Sequence, residues 1–463
     1  MAKTSVRGML DEQTLRRMVA NQEIETVLTV FPDLYGRLMG KRIAGHYFVE
    51  DVLGGAVHAC DYLLACDMEM DPVPGYAFTS WQDGYGDFRL VPDLTTLRLA
   101  TWLDKTALVL CDIYQEEDDR LVDVAPRSIL RAQVERATKL GYLAMAGSEL
   151  ELYVFRDSYE QAHDKQYLGL KPIGNYIEDY HILQGTKEEF VIGAIRHHMD
   201  QSGIPVEFSK GEWGPGQQEI NLRYSNFLEM ADRHVIYKHA AKEIAYQQEC
   251  AITFMAKWHQ AHAGSSMHLH ASIWDKSGIN SLFPGEETFG MVHASPIFRW
   301  FLGGWMHHLR EMFAFCAPYP TSYKRFVAGS FAPTGIAWSY DNRTAAFRIV
   351  GHGPALRIEC RAPGADANPY LAFAAALAAG LDGIENKIEP PDYYDGDVYA
   401  AQDLPQVPKT LNQAIEELQG SAWARETFGE AVIEHYLHFF RTEQRKFEEV
   451  VTNWERQRYF ERA

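Results

Sequence analysis

The sequence predicts an α+β protein in which helices back a largely antiparallel sheet with one apolar and one polar face. Short runs alternate between polar and apolar residues, and helix-start signals lie between those runs. The chain has 463 residues, of which 46% are hydrophobic and 23% charged, as expected of a soluble protein with two domains. We expect a small domain over residues 1–115 and a larger one over residues 116–463, divided at the charged turn QEEDDR.

The first domain should combine one helix with several strands. Residues Asp11 to Asn21 have a helical pattern, and the following ETVLTVF is typical of a strand. Loops containing glycine and proline come next. Three further strand-like runs then follow, which are RLVPD, TLRLATW and TALVLCDIY.

Caps, first-turn prolines and terminating glycines predict the helices of the second domain. The predicted helices run from Pro126 to Gly141, from the capping box at Thr186 to Gly203, from Met230 to Trp258, from Ser295 to Pro318, and onward from Asn368 through an alanine-rich stretch. Residues 390–408 contain four prolines and are predicted to be a loop, and the rest of the chain is predicted to be helical.

Four short runs between these helices place polar side chains at every second residue, as a strand with one buried face requires. The polar members are Glu149 and Glu151 in SELELYVF, Glu219, Asn221 and Arg223 in QQEINLRY, His268, His270 and Ser272 in SMHLHASIW, and Arg357, Glu359 and Arg361 in ALRIECR. One such pair is typical of a solvated strand face or a structural histidine. Four runs together indicate a site on the polar face of one sheet.

The residue types on this face indicate metal-dependent phosphate chemistry. Its carboxylates, together with Glu212, would repel one another in one cavity unless cations neutralised them. Carboxylates with at most one histidine favour Mg²⁺ or Mn²⁺ over zinc, and arginines beside such ions suit a polyphosphate. The sequence contains no GxxxxGK[ST] motif and no GxGxxG that opens a helix after a strand. Metals and arginines would therefore hold a nucleotide.

Charge and cysteine content limit which partners and which cellular compartment we expect for the protein. The formal net charge of −19 argues against nucleic acid and anionic membranes as main partners. The six cysteines have no CxxC spacing, so we expect reduced, mostly buried thiols. The opening MAKTSVRGMLDEQ lacks the apolar segment of a signal peptide, and the longest apolar run is too short to span a bilayer. We expect a cytoplasmic protein.

The chain resembles the glutamine synthetase superfamily, of the bacterial type I kind. The motifs that carry the resemblance are, in order, GYGDFRLVPDLTTLR, GSELELYVF, EWGPGQQEINLRY, HAGSSMHLHASIWD, SYKRFVAG, DNRTAAFRI and RIECRAPGADANPYLAFAAALAAGLDGI. The resemblance implies an N-terminal β-grasp domain and a catalytic domain built on a curved antiparallel sheet. It also implies hexameric rings, two of which stack into a dodecamer, with active sites shared between subunits.

The resemblance further implies ATP-dependent chemistry and assigns residues to it. The glutamate γ-carboxylate becomes γ-glutamyl phosphate, and an amine then displaces the phosphate. Two or three Mg²⁺ or Mn²⁺ ions would be held by Glu151, Glu212 and Glu219 and by Glu149, His268 and Glu359. Glutamate would be bound by Gly264, Arg325 and Arg361 with Glu151 beside it, and ATP by Glu207, Tyr224, His270, Ser272, Arg343, Arg348 and Arg357. The catalytic residues would be Arg325, Arg343 and Arg357.

The sequence departs from that family where ammonium is bound. The flap after SYKR reads FVAGSFAP, and Phe331 stands where the family has a glutamate. The usual Asp-Gly-Ser-Ser context of an N-terminal aspartate is absent, Asp71 being the nearest carboxylate, and Ala263 replaces an asparagine. These changes remove charge from the amine pocket and add an aromatic wall to it.

We therefore predict a γ-glutamylamide synthetase that joins glutamate to an organic amine, alkyl or aryl, in amine catabolism. A pocket without carboxylates would favour a neutral arylamine, whereas an aliphatic monoamine would need Asp71 or another acid as its base. The alternatives are a true glutamine synthetase that uses ammonium, a γ-glutamylpolyamine synthetase, and a non-catalytic oligomer of the same fold.

Overall fold

The computed structural model describes residues 6–116 and 118–463, so the first five residues and Glu117, part of the predicted first domain and its boundary, lie outside it. The described chain contains a six-stranded sheet, a nine-stranded sheet and a small hairpin, with helices around them. The predicted α+β class is confirmed. One apolar core includes Phe31 from the first sheet and Leu150 from the second. The division between residues 115 and 116 stays a prediction.

The first sheet is mixed. Its strands are β1 (Thr26–Pro32), β2 (Leu38–Ala44), β3 (Val57–Cys60), β4 (Asp87–Pro92), β5 (Arg98–Leu99) and β6 (Thr106–Gln115). They lie in the order β2-β1-β6-β4-β3, β5 pairs with β6, and β1 runs parallel to β6. Helix α1 (Glu12–Ala20) begins where the Asp11 carboxylate accepts a hydrogen bond from Thr14 N at 2.7 Å. A short turn, α2 (Gly45–Tyr47), continues into a π-helix over Phe48–Val52.

Two strands of this sheet lie where loops were predicted. The sequence of β2, LMGKRIA, has an exposed middle and no alternating pattern, because β2 is an edge strand. Strand β3 has only four residues. By contrast, the predicted run TLRLATW contributes only the two residues of β5.

The second sheet carries the predicted polar runs. Its strands are β7 (Tyr142–Phe155), β8 (Val206–Gly211), β9 (Gln217–Leu222), β10 (Ser225–Asn226), β11 (Ala251–Thr253), β12 (Met267–Asp275), β15 (Trp338–Tyr340), β16 (Phe347–Val350) and β17 (Arg357–Cys360), and the separate hairpin is β13 (Pro284–Phe289) with β14 (Val292–Ala294). The order is β15-β16-β17-β12-β7-β9-β8, with β10 and β11 also paired to β7. All of these pairs are antiparallel except β15 with β16.

Helices pack on this sheet and on one another. They are α3 (Pro126–Lys139), α4 (Tyr159–Asp164), α5 (Ile182–Gln201), α6 (Phe227–Gln247), α7 (Pro296–His308), α8 (Phe313–Cys316), α9 (Pro369–Asn386), α10 (Leu411–Gly420), α11 (Ala422–Phe428), α12 (Glu430–Glu448) and α13 (Asn453–Tyr459). The alanine-rich α9 is buried along most of its length, as its composition predicts. Short 3₁₀ turns link several elements, and the turn over Ser322–Arg325 leads into the flap.

Three predicted helix boundaries are wrong. Helix α5 begins at Ile182, and Thr186 lies inside it and donates its hydroxyl to Ile182 O at 3.1 Å. Helix α6 ends at Gln247 because Glu249 adopts a left-handed backbone with φ 54°, after which the chain enters β11. The helix predicted from Ser295 to Pro318 breaks after His308 into α7 and α8.

The register of the second sheet aligns the polar runs side by side. Glu151 of β7 pairs with Glu219 of β9, and His268 of β12 pairs with Glu149 of β7. His270 of β12 pairs with Glu359 of β17, which in turn pairs with Arg348 of β16. The predicted fourth member on β9, Arg223, lies beyond the end of the strand and is exposed.

The five cysteines other than Cys60 are buried, and none of the six forms a disulfide. No helix in the described part of the chain has the length and apolar character needed to cross a bilayer.

Candidate active site

Two adjoining cavities open on the polar face of the second sheet, and they share Glu149, Phe208 and Asn221 as lining residues. The first, of about 380 Å³, is lined by the predicted residues Glu149, Glu151, Glu212, Glu219, Gly264, His268, Arg325, Phe331, Arg343, Arg348 and Arg361. The second, of about 510 Å³, is lined by Glu149, Glu207, Tyr224, His270, Ser272 and Arg357. Glu359 lies fully buried beneath them. The structure thus brings all of the predicted site residues into one cleft.

Three carboxylates meet where β7, β8 and β9 adjoin. Oxygens of Glu151, Glu212 and Glu219 all lie within 4.8 Å of one another. Burial and then the charge of Glu212 raise the pKa of Glu151 to about 7, although Ser266 donates two hydrogen bonds to it. Burial and the nearby Glu149 likewise raise the pKa of Glu219 well above its ordinary value. These oxygens therefore fit a hard divalent cation, which would stabilise their ionised forms.

A second group of possible ligands joins β7, β12 and β17. His268 Nδ1 lies 3.2 Å from Glu149 Oε2 and 3.6 Å from Glu359 Oε1. Burial lowers the pKa of His268 to about 4, so the imidazole is neutral at physiological pH and can act as a ligand. Glu149 is also close to His270, whose Nε2 lies 2.9 Å from Glu149 Oε1. Among the described residues, ligand atoms lie within 4.8 Å of one another in two sets here, Glu149 with Glu219 and His268, and Glu149 with His270 and Glu359. The predicted trio of Glu149, His268 and Glu359 is therefore divided between these two sets.

Arginines surround the buried Glu359. Arg361 Nη1 donates to Glu359 Oε1 at 2.5 Å, and Arg348 Nη1 donates to Oε2 at 2.8 Å. Burial opposes ionisation of Glu359, but Arg361 and the nearby histidines bring its pKa down to about 2. Arg361 Nε is buried and has no hydrogen-bond partner within the described residues. Arg343 is exposed at the first cavity.

Close packing holds Arg325 and Gly264 in place at the predicted glutamate-binding end of the cleft. Arg325 is buried, and its Nη1 and Nη2 donate to Ala362 O at 2.9 Å and Arg361 O at 2.8 Å. A Cβ atom at Gly264 would lie 2.6 Å from Arg325 Cγ and 2.7 Å from Ala256 O. Only glycine fits at position 264 without moving Arg325.

The nucleotide end is more apolar. Tyr224 follows β9 and is half exposed in the second cavity, which also contains Trp274 and Pro354. Arg357 Nε lies 3.3 Å from His270 Nδ1 at the boundary of the two cavities. Aromatic surface followed by arginine and histidine suits a base and then phosphates.

Phe331 lies at the far end of the first cavity, on the flap. Its ring meets Trp213 edge to face, with centroids 5.8 Å apart. The backbone of Phe331 is left-handed with φ 60°, which is costly for a bulky residue. Arg361 Nη2 donates to Phe331 O at 3.4 Å, and the Tyr399 hydroxyl donates to Ala332 O at 3.0 Å. The predicted aromatic wall is therefore present, and hydrogen bonds from Arg361 and Tyr399 hold the flap backbone at Phe331 and Ala332.

The expected amine pocket without carboxylates needs correction, because Asp179 lines the same cavity as Phe331. Tyr180, Lys210 and Trp213 also line the cavity and were not predicted. These four residues lie on loops or at a strand end, where no alternating pattern marks them. The signal that could have revealed Trp213 is its position next to Glu212 in the motif EWGPGQQEINLRY. Asp71 is not among the residues that line this cavity within one chain.

Comparison with known proteins agrees with this geometry. Residues 123–459 match the family model of the glutamine synthetase catalytic domain. The chain belongs to the glutamine synthetase family. A γ-glutamylethanolamide synthetase of Streptomyces coelicolor is 46% identical to this chain over 453 residues. The match covers 98% of this chain and 96% of that protein.

Further relatives span the same family. A glutamate–isopropylamine ligase of a Pseudomonas species is 36% identical, covering 96% of this chain and 97% of the ligase. The glutamine synthetase of Thermotoga maritima is 31% identical, covering 96% of this chain and 99% of that enzyme. The solved structure of a GmaS complex with ADP has a TM-score of 0.84 at 27% identity, covering 96% of this chain and 99% of that one. The chain thus matches relatives named as glutamine synthetases and relatives named as ligases of organic amines.

Proposed function

We propose that this protein is an ATP-dependent ligase that joins the γ-carboxylate of L-glutamate to an organic amine, giving a γ-glutamylamide, ADP and phosphate. The observation that carries the proposal is the aromatic pair of Phe331 and Trp213 at the end of a cavity that otherwise has acidic and arginine residues typical of the family. The names of the ethanolamide synthetase and the isopropylamine ligase support the same product class.

In this proposal, Mg²⁺ or Mn²⁺ ions, two or three per site, supply charge neutralisation for the phosphates. Glu151, Glu212 and Glu219 would hold one ion and Glu149, His268 and Glu359 a second. The three clustered carboxylates and the raised pKa values of Glu151 and Glu219 support the first assignment. The contacts of His268 with Glu149 and Glu359 support the second. Glu149 also contacts His270, whose Nε2 lies 2.9 Å from Glu149 Oε1.

The substrates would lie in sequence along the cleft. Glu207, Tyr224, His270 and Ser272 would contact ATP, and Arg343, Arg348 and Arg357 its phosphates. Gly264, Arg325 and Arg361 would bind glutamate, since all three line the first cavity. The γ-carboxylate oxygen attacks the terminal phosphorus of ATP and ADP leaves. The neutral amine nitrogen then bonds to the γ-carbon, the phosphate leaves, and the nitrogen loses a proton. An amine that arrives as an ammonium ion gives up one proton before this attack, which frees its lone pair.

The aromatic pair would select the amine. Ammonium has no apolar surface to bury against Phe331, whereas each buried CH₂ of an alkyl substituent contributes about 0.8 kcal/mol. An amine with a small organic substituent is therefore preferred over ammonium.

Amine-dependent ADP release tests the proposal. The enzyme is incubated with glutamate, ATP and Mg²⁺ and with ammonium, ethanolamine, isopropylamine, aniline or putrescine in turn, and the products are identified by mass spectrometry. We expect γ-glutamylamides of organic monoamines to form with the highest kcat/KM. Ammonium outperforming every organic amine would refute the proposal, and so would ADP release that does not depend on any amine.

We also propose that the chain assembles into hexameric rings, stacked as a dodecamer, and works in the cytoplasm. Exposed apolar residues near the C-terminus, among them Trp454 and Phe460, support an interface there. Five buried free cysteines support a reducing compartment. Native mass spectrometry would measure the subunit number.

A further inference from the structure

The cavity that contains the aromatic pair also contains a carboxylate with no assigned task. The Asp179 side chain is 34% exposed there, and Asp179 belongs to none of the ligand groups found among the described residues. Its carboxylate receives no side-chain hydrogen bond from the described chain, since the nearest cation, Lys210 Nζ, is 3.9 Å away. Lys210 instead pairs closely with Glu212. The Asp179 carboxylate therefore faces the cavity with one loose ion pair, to Lys210, and no side-chain hydrogen bond.

Backbone and buried side-chain contacts hold Asp179 in place. Its amide donates to Glu212 O at 3.0 Å, and the next amide, of Tyr180, donates to Gly211 O at 3.2 Å. The preceding Glu178 is fully buried and accepts hydrogen bonds from Gly216 N at 2.7 Å and Gln218 Nε2 at 3.1 Å. Asp179 is thus tied to the same loop that carries Glu212 and Trp213.

The chain itself shows what this corner of the cavity accommodates. A lysine side chain ends in a primary alkylammonium group, and Lys210 places that group 4.5 Å from the centroid of the Tyr180 ring. The same nitrogen faces Asp179 and Glu212. An aromatic face together with carboxylates is the surface that binds an alkylammonium ion.

We propose that the Asp179 carboxylate binds the ammonium group of the amine substrate while the alkyl substituent lies against Trp213 and Phe331. This inference rests on the proposed ligase function and narrows its substrates to small primary alkylamines that enter as cations. A neutral arylamine would leave Asp179 with only its loose ion pair to Lys210. A cavity without carboxylates would favour arylamines. With Asp179 in the cavity, we expect alkylamines as the substrates instead.

Two amines of nearly the same shape test this charge recognition. Ethylamine is a cation at neutral pH, whereas the fluorines of trifluoroethylamine withdraw electrons and leave it mainly neutral. In Asp179→Asn we expect kcat/KM for ethylamine to fall about 10- to 100-fold, and that for trifluoroethylamine to fall less than about 3-fold. The KM values for ATP and glutamate should stay unchanged. Asp200→Asn, an exposed change on α5, is the matched control and should retain both activities.

An equal loss with both amines would overturn the inference, because it would mean that Asp179 supports the fold or the metal site. Unchanged use of ethylamine would overturn it as well. Failure of the proposed function is distinguishable, because the unmodified enzyme would then prefer ammonium to every organic amine or would release ADP without any amine.

Discussion

The metal region and the amine end of the cleft are built in different ways. Glu149, Glu151 and Glu219 project from strands whose register is fixed by backbone hydrogen bonds. Asp179 and Phe331 lie on loops, and Phe331 adopts a left-handed backbone. A change on a strand affects residues on both neighbouring strands, whereas a change on a loop affects the cavity alone. We therefore expect metal binding to depend mainly on the sheet, and the choice of amine mainly on the loops.

Glu359→Gln provides the largest expected effect and tests the sheet side of this contrast. The carboxylate joins Arg348 and Arg361 and is a predicted metal ligand, so its loss disturbs three groups at once. We expect kcat to fall at least about 100-fold with every amine. The exposed Glu426→Gln is the matched control. Near-normal turnover by Glu359→Gln would show that the second metal assignment is wrong.

Phe331→Glu tests the loop side. A carboxylate in place of the ring removes apolar surface and adds charge, so kcat/KM for isopropylamine should fall about 10- to 100-fold while use of ammonium rises. Phe331→Leu keeps an apolar side chain and should keep the preference for organic amines. An unchanged amine profile in Phe331→Glu would mean that the flap does not contact the amine.

Removing divalent ions should affect the stability of the sheet that carries the proposed metal ligands more than that of the loops at the amine end. The folded-state pKa of Glu151, about 7, exceeds the ordinary value of 4.5. Its contribution to stability is therefore present at low pH and lost as pH rises through about 7. In EDTA we expect the Tm to fall between about pH 5 and about pH 8, and Mg²⁺ to reverse the fall. Glu151→Gln should reduce this pH dependence, and a Tm that ignores both pH and Mg²⁺ would contradict the assignment.

Tyr224→Ala has the smallest expected effect, because this side chain is half exposed and follows the end of β9. Loss of its ring should raise the KM for ATP about 5-fold and leave the amine preference unchanged. Tyr224→Phe retains the ring and should behave like the unmodified enzyme. A changed amine profile in Tyr224→Ala would contradict the view that the nucleotide end and the amine end of the cleft act independently.

The sequence predicted the sheet side of the site well for a physical reason. Alternation along β7, β9, β12 and β17 determines which side chains share a face, and those strands proved to be neighbours. Helix ends were predicted less well, since a single left-handed residue, Glu249, ends α6 before its apolar pattern does. Asp179 was missed because its position depends on an amide contact with Glu212 O, 33 residues later in the chain, which no local pattern encodes.

The left-handed backbone at Phe331 has a consequence for how such enzymes diversify. The flap already bears the conformational cost of about 1–3 kcal/mol that a side chain incurs in this region. Asparagine or glycine at position 331 would relieve that cost, so exchanging the residue need not destabilise the protein. Duplicated genes could therefore acquire new amines through single codon changes at this position, while the strands that activate glutamate remain untouched.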